Sequence, residues 1–71
     1  MKYKIEINSA IPGIDHRKYP DYKKEIIANS INEAAEKYQQ QMKDILPTKT
    51  RYELLVKDSN GNSEIVVLEK K

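Results

Sequence analysis

Apolar and polar residues alternate at the start of the chain. Tyr3, Ile5 and Ile7 are separated by Lys4 and Glu6, with Lys2 before them, so residues 1–8 read as a half-buried strand. Residues 9–20 break that pattern and form a loop of about a dozen positions, with Pro12-Gly13 suited to the centre of a type II turn. Residues 21–29 fit two readings. As helix they would extend a later helix backwards, with Tyr22, Ile26 and Ile27 inward; as strand they place Tyr22, Lys24, Ile26 and Ala28 on one face. The strand is preferred, because Asn29-Ser30 begins a helix start signal that an uninterrupted helix would not need.

That signal opens the one long periodic segment. Ser30 is followed three residues later by Glu33, the capping box, in which the serine hydroxyl accepts a free first-turn amide and the glutamate reaches back to the cap amide. From Ile31 the apolar positions are Ile31, Ala34, Ala35, Tyr38, Met42, Ile45 and Leu46, a single stripe at helical spacing that predicts a helix ending at Pro47. Glu33 and Lys37 stand four apart on the solvated side, in the favourable orientation.

Alternation returns with Tyr52, Leu54 and Val56 against Arg51, Glu53 and Leu55, and a last strand runs over residues 63–69. Asn60-Gly61 between them is the favoured pair for a two-residue type I′ turn. That turn sets Lys57 opposite Glu64, Val56 opposite Ile65, Leu55 opposite Val66, Leu54 opposite Val67 and Glu53 opposite Leu68. Tyr52, Leu54, Val56, Ile65 and Val67 then lie beneath the helix, and Leu55, Val66 and Leu68 on the other face. The predicted fold is α+β, β-β-α-β-β, a single domain over 1–71 with one helix packed on one face of a four-stranded sheet.

Composition narrows the chemistry. A chain of 71 residues has one small core, and with no cysteine it has neither disulfides nor thiolate chemistry. Absence of cysteine, of a long apolar run and of a leader-like start points to a cytoplasmic protein without membrane contact. Lys and Arg outnumber Asp and Glu by only 13 to 11, which says little about partners.

The run Tyr22-Lys23-Lys24-Glu25-Ile26-Ile27-Ala28-Asn29-Ser30-Ile31-Asn32-Glu33-Ala34-Ala35 resembles the strand, serine cap and Glu-Ala-Ala helix start of many small phage and mobile-element proteins and of HicB-type antitoxins. The resemblance implies an α+β fold and carries no functional residue with it.

His16 is the only histidine, so acid-base work near neutral pH would fall to it. No nucleophile, phosphate loop or second histidine accompanies it, and Asp15, His16 and Asp21 are too loosely spaced for a metal site. No enzyme, cofactor or metal is expected. Two binding readings stand. His16, Arg17, Lys18, Tyr19, Tyr22, Lys23 and Lys24 mix basic and aromatic groups as nucleic-acid grips do, although Asp15, Asp21 and Glu25 dilute the charge. Ile27, Leu55, Val66 and Leu68 all point away from the helix in the expected phases, an apolar surface for a protein partner or a second copy in a homodimer. The preferred reading is a small non-enzymatic protein-binding module, of the phage or mobile-element inhibitor or regulator kind, acting by surface occlusion.

Overall fold

The structure, a computed structural model, describes residues 1–13 and 22–71. Its elements are β1 (Lys2–Ile11), β2 (Lys24–Ile27), α1 (Ile31–Gln41), β3 (Thr50–Asp58) and β4 (Ser63–Lys70). The strands form one antiparallel sheet in the order β2-β1-β3-β4, and α1 lies across one face of it. The fold is therefore α+β, and the strand reading of the second segment holds for Lys24–Ile27.

Alternation does what it should in β1 and β3. Tyr3, Ile5 and Ile7 meet Tyr52, Leu54 and Val56 beneath the helix, joined by Ile26, Ala28 and Tyr22 from the β2 segment. The helix adds Ala34 and Tyr38, and the turn after it adds Met42 and Leu46. Two tyrosines tie the layers with their hydroxyls. Tyr38 donates to the carbonyl of Tyr22 at 2.6 Å, and Tyr52 donates to the carbonyl of Pro47 at 2.7 Å, so each ring is buried without an orphaned oxygen.

The helix starts where the capping signal places it. The Ser30 hydroxyl accepts from the Glu33 amide at 3.1 Å, while the Glu33 carboxylate accepts at 2.5 Å from the amide of Asn29, one residue ahead of the cap. Lys37 bridges from Glu33, at 3.7 Å, to the carbonyl of Ile27, at 2.7 Å. The end comes earlier than Pro47. After Gln41 the backbone tightens, with Lys43 N–H reaching Gln40 and both Ile45 and Leu46 reaching Met42. The tighter turn keeps Leu46 in the core and swings Ile45 into solvent at 53 % exposure, so Ile45 leaves the expected apolar stripe. Lys70 then donates its ammonium to the carbonyls of Lys43 and Leu46, placing a cation on the acceptors of the turn that follows the helix.

Three expectations about connections are corrected. β1 continues to Ile11, past a bulge between Ile7 and Ser9, so Ser9, Ala10 and Ile11 pair with Glu53, Tyr52 and Arg51 where a loop was expected. The inserted residue breaks the period-2 pattern that identifies a strand. Gly61 is the only glycine at positive φ among the described residues, so Pro12-Gly13 does not form the type II turn, which needs positive φ at its glycine.

The third correction has the widest effect. The β3–β4 connection is a three-residue loop, Ser59-Asn60-Gly61, in which Gly61 N–H points to the Asp58 carbonyl and Asp58 N–H bonds the Asn62 carbonyl at 2.9 Å. Gly61 sits at φ 88, as the bulge residue after a type I turn requires. The Asp58 carboxylate holds the loop, accepting from the amides of Asn60 and Asn62, each at 2.9 Å, and from the Asn62 side chain at 3.2 Å. One loop residue more than the two-residue turn moves the register by one. Val56 faces Glu64, Leu55 faces Ile65, Leu54 faces Val66, Glu53 faces Val67 and Tyr52 faces Leu68. The whole of β4 is consequently turned over relative to expectation.

Candidate protein-binding face

The helix-free face is set by this register. Reading across the sheet, Glu6, Leu55 and Ile65 form one row and Ser9, Glu53 and Val67 the next. Ile65 is 44 % exposed and Val67 47 %, with the half-buried Leu55 against them. Because Asp58 and Asn62 are a hydrogen-bonded pair, alternation along the ladder makes Leu55 and Ile65 a non-bonded pair, the kind whose side chains approach most closely.

Of the four residues expected to form the apolar surface, only Leu55 and Ile27 are on this face. Val66 and Leu68 lie on the helix side, packed against the core beside Leu54 and Tyr52. Ile27 is the most exposed of the four at 72 %, but it sits on the far edge strand opposite Lys2, apart from the Leu55 row. Ile65 and Val67 take the places that Val66 and Leu68 were expected to hold. A signal for this was present: Asp58 at the first position and Gly61 at the fourth, around Ser59-Asn60, is the composition of a type I turn.

Charge surrounds the apolar rows on the β2 side. Lys2 pairs with Glu25 at 3.1 Å, and Glu6 lies between Lys23 at 3.4 Å and Lys57 at 3.8 Å. The hydrogen bond and charge of Lys2 hold the Glu25 carboxyl below the usual glutamate range. Glu6, Lys23, Glu25 and Lys57, with Lys4 and Lys24, line a shallow depression of about 360 Å³. Its lysines share the space with Glu6 and Glu25, which makes it a mixed-charge rim and not a concentrated phosphate cradle.

Only part of the basic and aromatic segment lies among the described residues. His16, Arg17, Lys18 and Tyr19 lie outside the described residues, as do Asp15 and Asp21. Tyr22, expected there as a base-stacking ring, is 5 % exposed and belongs to the core, its carbonyl taken by Tyr38. Lys23 and Lys24 remain near the surface, Lys23 engaged with Glu6. Among the described residues no cluster of histidine and carboxylate side chains could hold a metal, and no helix is long and apolar enough to cross a membrane.

Comparison with known proteins adds no relative: no family model matches the chain, and no characterised protein or solved structure does.

Proposed function

We propose that this chain is a small non-enzymatic protein-binding module that works by laying the helix-free face of its sheet on a partner protein and occluding it. The observation that supports this reading is the juxtaposition of Leu55, Ile65 and Val67 on a face that α1 leaves open. An aliphatic centre bordered by the Lys2–Glu25 and Glu6–Lys23–Lys57 ion pairs has the apolar core and polar rim of a protein interface. The inhibitor or regulator role is part of the same proposal, since occupying a surface requires no reacting group in the chain.

The test separates the face from the core. Leu55→Glu puts a charge at the centre of the face without entering the helix side of the sheet. Affinity capture from the source cell's lysate should recover a protein with the parent that is absent with Leu55→Glu, while the two thermal melts remain close. Recovery of the same protein by both forms would remove the face from consideration. Recovery of nucleic acid in place of protein would favour the segment around Lys23 and Lys24.

A further inference from the structure

β4 differs from the other edge of the sheet. β2 is only four residues long and carries Lys24 and Glu25, charges that discourage pairing with a foreign strand. β4 runs for eight residues, Ser63–Lys70, with Ile65-Val66-Val67-Leu68 uninterrupted at its centre, no proline, and a regular register against β3. Among the described residues nothing pairs with its outer side.

The direction of its backbone groups follows from the hairpin. The bonded pair Asp58–Asn62 sets the alternation, so Glu64, Val66, Leu68 and Lys70 exchange ladder bonds with β3, and Ser63, Ile65, Val67 and Glu69 turn their N–H and C=O outward. Four consecutive outward positions on an apolar edge are a template for another strand.

We propose that the outer edge of β4 is a strand-pairing site and that its occupant is a second copy of this chain, joined antiparallel about a two-fold axis at Val67. The choice of occupant rests on self-complementarity. An antiparallel pair within one continuous sheet must match residues of the same face, which restricts the axis to a residue position. With the axis at Val67, Val66 faces the partner's Leu68 and Glu64 faces the partner's Lys70, each twice by symmetry; Val67 faces its own copy, and Ile65 lies against the partner's Glu69. The Lys70 ammonium gives two of its three donors to the Lys43 and Leu46 carbonyls and has the third for Glu64. Moving the axis to Val66 sets Glu64 against the partner's Leu68 and loses both charge pairs; moving it to Leu68 sets Val66 against the partner's Lys70.

The space beside the strand suits this arrangement. A groove of about 280 Å³ runs between α1 and β4, walled by Asn32, Ala35 and Gln39 with Val66 and Leu68 among its lining. The partner's Val66 and Leu68, on the same side of the continued sheet, extend that apolar floor. The eight strands then form one sheet with both helices on one face, and the two open faces join into a longer surface.

Light scattering on the full chain should give twice the 8.3 kDa chain mass. Val67→Pro removes an outward N–H, the position at which an edge strand tolerates proline, and should give a monomer with the parent's far-ultraviolet dichroism. If proline unfolds the chain, Val67→Lys serves in its place, because the side chain is already near half exposed. Leu55→Glu should leave the dimer intact, which separates edge from face. The chain has no cysteine, so Val67→Cys should form a disulfide-linked dimer on mild oxidation and Ile27→Cys, on the opposite edge, should not. A parent that stays monomeric at millimolar concentration, a Val67→Lys form that remains dimeric, or cross-linking through Ile27→Cys in preference to Val67→Cys would overturn the proposal.

Discussion

Tyr38 pins the helix to the sheet more firmly than its place in an apolar stripe suggests. Its ring is fully buried and its hydroxyl satisfies the Tyr22 carbonyl, so phenylalanine would keep the packing and leave that carbonyl without its donor. Tyr38→Phe should therefore lower stability by about 1–2 kcal/mol in chemical denaturation at neutral pH. Burial raises the Tyr38 hydroxyl pKa above the ordinary tyrosine value, with the nearby Tyr22 and Tyr52 phenols acting in the same direction. The sign follows directly. Below the unfolded tyrosine pKa of about 10 both states hold the proton and the stability contribution is complete; above it the unfolded chain releases a proton that the folded chain retains. Stability should fall as pH rises beyond that value, and the Tyr38→Phe variant should lose part of that alkaline slope. An unchanged slope in the variant would mean that other tyrosines carry it, Tyr52 first, whose pKa burial also raises.

At the scale of elements, the start of α1 and the turn that follows it are held by different kinds of partner. The N-terminus is satisfied locally by Ser30 and Glu33, residues of the same short run, and was legible for that reason. Past the far end, the turn that follows α1 is held by Lys70, more than twenty residues away in the chain, whose ammonium reaches the carbonyls of Lys43 and Leu46. Lys70→Met keeps the aliphatic stem and removes the donors. It should lower the melting temperature by the equivalent of about 0.5–1 kcal/mol, and the neighbouring exposed Lys71→Met should not. Equal melts for the two variants would show that water replaces the ammonium at no loss.

For the whole molecule, the register of β3 against β4 decides which residues belong to the core and which to the surface. Leu68 lies opposite Tyr52 on the helix side and packs against the core, whereas Leu55 lies on the open face. A glutamate at position 68 would bury an unpaired carboxylate or expel the strand from the core. Leu68→Glu should then destabilise the fold by about 2 kcal/mol or more, and Leu55→Glu by distinctly less. Denaturant midpoints of the two variants provide the measurement. A loss at Leu68 as small as that at Leu55 would restore the register expected from a two-residue turn, which puts both residues on the open face.

What the sequence by itself determined is what short-range chemistry can specify. Alternation in residues 2–7 and 52–56, the capping box at Ser30, and the stripe Ala34, Tyr38, Met42 and Leu46 are each contained within one segment, and each appears in the structure. The rest was either ambiguous in the local sequence or decided by tertiary contact. Asn60-Gly61 is compatible with a two-residue turn and with the last part of a three-residue one, and the Asp58 carboxylate anchoring Asn60 and Asn62 selects the longer loop. In β4 the consecutive aliphatics Ile65-Val66-Val67-Leu68 offer an apolar side chain to either face, so hydrophobicity alone could not choose between them. The bulge that carries β1 on to Ile11 and the early turn that exposes Ile45 likewise depend on β3 and on the core beneath α1, neither of which is contained in the local sequence.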